Sequence, residues 1–187
     1  MAKWKKALIK AAVVVGGLFL VLFGGGALMD PKIALEIEKH LSSPPAVLFA
    51  FLDNQPGLDR WWTAGQADQP PDSLRMLVKK KSGPDQGQGL ALIFVDDEDN
   101  VMETWLVKSS DPPNRIVYEV DFAGAMKVER TLTLTPDGAG GTRVKWDEQG
   151  HIARPAMRWL KVLLPQQKIL DNFDRALAAL DRVAAMR

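Results

Sequence analysis

The chain has 187 residues, with 24 basic and 23 acidic side chains and no cysteine. That length suits one domain of about 150 residues beside a short N-terminal segment, and the missing thiols exclude disulfides, thiolate metal sites and cysteine nucleophiles. Lys3, Lys5, Lys6 and Lys10 cluster at the start, so the remainder is slightly acidic and has no electrostatic footprint for nucleic acid.

From Ala11 to Met29 the sequence AAVVVGGLFLVLFGGGALM carries no charge. An uninterrupted helix over this run, extended by Ala7–Ile9 and a snorkelling Lys10, approaches the roughly 30 Å hydrocarbon thickness of a bilayer. The expectation is one transmembrane anchor over residues 1–30, followed by a domain over 31–187. A cleaved signal peptide is the rival reading, with MAKWKK as its n-region. It is disfavoured by the long apolar run and by the lack of an A-x-A-like site before Asp30. The lysines precede the run, so the positive-inside rule predicts a cytoplasmic N-terminus and an extracytoplasmic domain, periplasmic in a Gram-negative cell. Asp30-Pro31 ends the helix, because the residue before proline avoids helical geometry.

Ile33–His40 alternates Ile33, Leu35 and Ile37 with Ala34, Glu36 and Glu38, the pattern of a half-buried strand. Ser43 is a candidate N-cap for a short helix over Ala46–Leu52, with prolines in its first turn. Asp53-Asn54-Gln55-Pro56-Gly57 reads as a break, Leu58–Trp62 as a further turn, and Gln66–Asp72 as a polar loop. Strand patterns follow at Leu74–Lys80, Gly89–Val95, Val101–Lys108, Arg115–Phe122, Met126–Thr135 and Thr142–Glu148, separated by turn signals, which describes an antiparallel meander. Pro155–Val162 and Gln166–Met186 are helical in pattern, with Pro165 between them as a kink or new start. In the last segment Ile169, Leu170, Phe173, Leu177, Leu180 and Val183–Ala184 recur at helical spacing.

The order strand, short helix, antiparallel meander, long amphipathic helix resembles the helix-grip fold of the SRPBCC superfamily, which includes START, Bet v 1 and polyketide cyclase/dehydrase-like proteins. The residues that carry the likeness are Ile37–Trp62, IEKHLSSPPAVLFAFLDNQPGLDRWW, and Gly141–Trp146, GTRVKW. It spans about Ile33–Ala184. The resemblance implies an α+β domain whose curved sheet wraps a long C-terminal helix, with an apolar ligand cavity between them.

Period-2 alternation nominates the residues that face such a cavity. They are Leu92 and Phe94, then Glu103 and Trp105, then Tyr118, Val120 and Phe122, then Arg130 and Leu132, and finally Trp146 and Glu148. Trp62 and Phe173 join them from the helical segments. Glu103, Arg130 and Glu148 fall in apolar registers, and an internal Arg–Glu pair resolves the cost of burying them. If they orient a ligand head, Arg130→Met weakens binding and leaves the fold intact; otherwise they form a structural pair or a solvated rim. Trp61 and Trp62 are expected to plug the short helices against the sheet.

His40 and His151 have no carboxylate or Cys partner at ligand spacing, so no metal is expected. No serine has a recognisable His partner, and Gly138, Gly140 and Gly141 mark a hairpin rather than a phosphate cradle. No catalytic residue and no cofactor is assigned. Lys79–Lys81 reads as a solvated basic run or a contact to anionic headgroups. The expected function is a membrane-tethered binding or carrier module for a lipid or other hydrophobic small molecule. The alternatives are a non-catalytic envelope module whose cavity is filled by its own Trp, Phe and Met side chains, and a cyclase/aromatase-type enzyme.

Overall fold

The computed structural model describes residues 2–67, 75–163 and 166–186. The chain begins with helix α1 (Ala2–Phe19), continues as a π-helical stretch (Leu20–Gly25), and closes with one α-turn, α2 (Gly26–Leu28). Among the described residues no helix is long and apolar enough to cross a membrane, which overturns the expected anchor. The physical reason lies at both ends of the run, where lysines crowd one side and contacts to the domain hold the other. The first half of α1 carries the lysines, and its uncharged part, Ala11 to Phe19, spans only about 14 Å.

The end of the run touches the domain through Gly25, Gly26 and several backbone carbonyls. A Cβ on Gly26 would lie 2.1 Å from the carbonyl oxygen of Pro155, so only glycine allows that approach. Arg158 Nη1 donates to the carbonyls of Gly26, Ala27 and Met29, and Trp159 Nε1 donates to that of Leu22. Single-pass topology, membrane attachment through this segment and the extracytoplasmic placement fall with the anchor. Val13–Val15 and Leu18–Val21 remain exposed.

The domain is built on a seven-stranded antiparallel sheet in the order β1-β7-β6-β5-β4-β3-β2. The strands are β1 (Lys32–Leu41), β2 (Leu77–Ser82), β3 (Ala91–Val95), β4 (Val101–Asp111), β5 (Arg115–Asp121), β6 (Met126–Pro136) and β7 (Thr142–Ile152). From β2 to β7 each pairs with its successor, and β7 pairs with β1. Alternation is a sound guide here: in β7, Thr142, Val144, Trp146, Glu148 and Ile152 are buried, and Arg143, Gln149 and His151 are exposed.

The helices lie on the concave face. Between β1 and β2 come α3 (Pro45–Phe49) and α4 (Gln55–Gln66). The cap of α3 is Pro44 rather than Ser43, which is buried and whose carbonyl accepts from Thr142 Oγ1. The expected break is there, at residues 50–54 between α3 and α4, but Gln55–Gly57 already belong to α4. Asn54 Oδ1 accepts from the Gly57 amide at 2.8 Å, and Pro56 occupies the first turn, where no amide donor is needed. The helix continues through Gln66, whose side-chain amide bonds both the N–H and the C=O of Met76. The expected loop Gln66–Asp72 therefore starts later than its pattern implies, and its residues 68–72, with Leu74, lie outside the described residues.

After β7 a 3-10 turn (Pro155–Trp159) leads to α5 (Leu160–Leu163) and then to α6 (Gln166–Ala185). Pro165 lies outside the described residues. Helix α6 crosses the sheet and turns Phe173, Leu177, Leu180 and Ala184 inward, as its helical spacing predicts. Asp174 pairs with Lys39 of β1 at 2.7 Å, and Asp181 accepts from the Ser42 amide and hydroxyl, fixing the helix along the β1 edge.

Candidate functional site: a cavity between sheet and C-terminal helix

The concave face holds a continuous aromatic layer. Phe173 stacks on Trp146 with centroids 4.5 Å apart, and Trp146 meets Trp61 edge-on at 5.9 Å. Trp61 leads to Trp62, which packs edge-on against both Phe94 and Trp105, and Trp105 meets Tyr118 at 5.1 Å. Such offset and edge-to-face pairs are favoured by the ring quadrupoles and add to the burial of large surfaces. Trp61 is 1% exposed, and its Nε1 donates to the carbonyl of Ala176 in α6 at 2.7 Å. That bond ties α4 to the C-terminal helix.

One ion pair is set into this layer. Arg130 and Glu148 are direct partners across β6 and β7; both are buried, and Arg130 Nε donates to Glu148 Oε1. The guanidinium lies over the Trp105 ring at 4.2 Å and the Trp146 ring at 4.9 Å, so two aromatic faces supply what water would otherwise give. Its Nη1 and the Trp62 Nε1 are buried without hydrogen-bond partners among the described residues. Glu103 accepts from Trp105 Nε1 at 2.8 Å. Desolvation holds the Glu103 carboxyl above its ordinary range, against the lowering influence of Arg130 and of the indole bond. Burial likewise pushes the Tyr118 phenol well above its usual value. The Tyr118 hydroxyl donates to the Leu52 carbonyl and is committed to holding the segment after α3.

Beside this layer the helix and sheet separate and leave a cavity of about 640 Å³. Its apolar walls include Ile33 and Leu35 of β1, Met126 of β6, Ile152 of β7, and Ile169 with Ala176 of α6. Of the residues nominated from sequence, Trp62, Glu103, Phe122, Arg130, Trp146, Glu148 and Phe173 line it. Leu92, Phe94, Trp105, Tyr118, Val120 and Leu132 are instead sealed in the core beneath the helices, each fully buried. Alternation reports which face a side chain takes, and α3 and α4 decide whether that face is covered. Ile33 and Leu35 fall outside the nominated residues although they share one strand face, whereas Met126 belongs to the concave-facing apolar register that carries Arg130 and lines the cavity with it. Ile169 and Ala176 flank Phe173 at helical spacing, so the same periodicity could have found them.

The burial of the Arg130–Glu148 pair also bears on the expected Arg130→Met phenotype. Removing the cation leaves a buried carboxylate unpaired, so the fold itself is affected. Trp61, Trp62 and Trp146 of the layer line the cavity without filling it, and Trp105 lies sealed behind Trp62.

Residues 32–185 match the family described as polyketide cyclase / dehydrase and lipid transport. None of the curated proteins matches the sequence. Among solved structures, major latex-like protein 151 from Panax ginseng superposes with a TM-score of 0.61 at 10% identity, covering 83% of this chain and 99% of its own. A protein from Chromobacterium violaceum gives 0.58 at 17% identity, over 81% of this chain and 96% of its own. A protein from Rhodobacter sphaeroides gives 0.57 at 21%, over 82% and 93%. At these identities the structures establish a shared fold. The strand order, the long helix laid across the concave face and the match over residues 32–185 place this chain in the polyketide cyclase / dehydrase and lipid transport family.

Proposed function

We propose that the protein binds an apolar small molecule or lipid, without transforming it, in the cavity between the sheet and α6. The observation that carries this reading is the cavity itself. Its volume of about 640 Å³ lies within the range of small-molecule sites, and its walls are apolar, with a few polar groups at the floor. Those floor groups are engaged with one another: Arg130 with Glu148 and two indoles, Glu103 with Trp105. A general acid or base must instead be poised toward a substrate. The open volume also argues against a cavity filled by the protein's own side chains.

Mass spectrometry of organic extracts of the purified protein tests the reading. The expected result is a co-purified apolar molecule in near-stoichiometric amount, or saturable binding of an added apolar probe at one site per chain. Absence of both across independent preparations contradicts it, and turnover of the bound molecule shifts the assignment to an enzyme.

A further inference from the structure

The charges lining the cavity are sorted by depth. Four cations and two carboxylates contribute: Lys32, Arg130, Lys161 and Arg175 against Glu103 and Glu148. Arg130 and Glu148 are buried together, and Glu103 lies close enough to Arg130 to feel its charge. Lys32, Lys161 and Arg175 are all exposed, and an exposed residue that also lines a cavity sits where it opens to solvent. They come from three elements: the start of β1, α5 and the middle of α6. Among the described residues none of the three is paired with a carboxylate. Lys161 Nζ donates to the carbonyls of Asp30 and Lys32, and Arg175 donates to the Asn172 side chain. These neutral acceptors position the two groups and leave their charge uncompensated.

Resting on the reading that the cavity holds an apolar ligand, we infer that this ligand is an anionic amphiphile. It enters with its apolar end first and keeps its acidic head at the rim, against Lys32, Lys161 and Arg175. The opposite orientation fails on charge. An acid head at the floor could meet the unpartnered Arg130 Nη1 and Trp62 Nε1, but it would be a third carboxyl group around one cation that already has a partner, and the desolvation of that extra charge outweighs two hydrogen bonds. At the rim the head stays hydrated and gains three cations. The apolar body meets Ile33, Met126, Ile152 and Ile169 on the way in. A free apolar acid and the headgroup of an anionic lipid share this chemistry.

Isothermal titration of the full chain with dodecanoate and with 1-dodecanol tests the inference. The acid is expected to bind about tenfold more tightly at low salt, as three exposed cations of ordinary strength would give. The preference should shrink as salt is added. It should fall below about twofold in Lys32→Gln/Arg175→Gln, and again when Lys161→Gln is added, with the affinity for dodecanol unchanged. Equal affinities in the wild type, or a preference that survives the rim substitutions, would overturn the inference and leave the cavity reading intact. If neither compound binds, the cavity reading falls and takes the inference with it. A parallel incubation with phosphatidylglycerol vesicles separates the two sources. Phosphatidylglycerol recovered with the protein after vesicle removal assigns the head to a lipid; dodecanoate binding without such recovery assigns it to a free acid.

Discussion

The two ends of the sheet's concave face use the same alternation of inward and outward residues and come to opposite results. At the β3–β5 end, Leu92, Phe94, Trp105 and Tyr118 point inward and are sealed, because Trp62 packs over Phe94 and Trp105, and Leu52 accepts the tyrosine hydroxyl. At the β1–β7 end, Ile33, Leu35 and Ile152 also point inward, but α6 stands away from them and the cavity remains. Strand pattern sets the direction of a side chain. Where the helices land decides whether it becomes core or cavity wall. The Arg130–Glu148 pair and its flanking indoles form the boundary between the two ends.

Substitutions can break this boundary or sharpen it. The largest effect is expected for Arg130→Met, which strands Glu148 in the interior and should cost about 3–5 kcal/mol in chemical denaturation. The double variant Arg130→Met/Glu148→Leu should recover most of that loss; a double variant no more stable than the single would show that the pair is not the reason. Trp61→Ala removes a buried indole at the boundary together with its bond to α6, and should cost about 3–5 kcal/mol by the same measurement.

On the open side the expectation reverses. A Cβ on Gly65 would meet only the Ala179 methyl, at 3.7 Å, an ordinary contact. Gly65→Ala should therefore stabilise α4 by about 0.5–1 kcal/mol, read as a raised denaturation midpoint.

The smallest effect is a pH dependence. The folded state holds the Glu103 proton more tightly than the unfolded state does, so its contribution is full below the ordinary glutamate range and is lost as pH rises through the elevated folded value. Glu103→Gln keeps an acceptor for Trp105 Nε1 and removes that decline. Its stability relative to the wild type should grow as pH rises through this window, and a constant difference across pH would contradict the assignment.

Much of the fold was legible from residues 31 onward, because strands and the long helix advertise themselves by period. An internal Arg–Glu pair was legible too, since opposite charges in apolar registers need each other, but Glu103 and Glu148 were equal candidates until the β6–β7 register placed Glu148 opposite Arg130. Two kinds of information were not. The Asp53–Gly57 segment carries turn residues that serve equally as a break or as a helix cap, and only the Asn54 bond to the Gly57 amide distinguishes them. The Ala11–Met29 run has the composition of an anchor. Gly25 and Gly26, however, serve the close approach of Trp159 and Pro155, a tertiary contact that no local pattern encodes.

The central claim, that the open end of the concave face is a ligand site, is tested most directly by titrating a neutral apolar fluorophore such as N-phenyl-1-naphthylamine into the wild type and Gly65→Trp. The account predicts saturable binding at one site per chain in the wild type, and loss of that binding in Gly65→Trp while the variant keeps the far-UV circular dichroism of the folded wild type. No saturable binding in the wild type, or equal binding by both proteins, would contradict it.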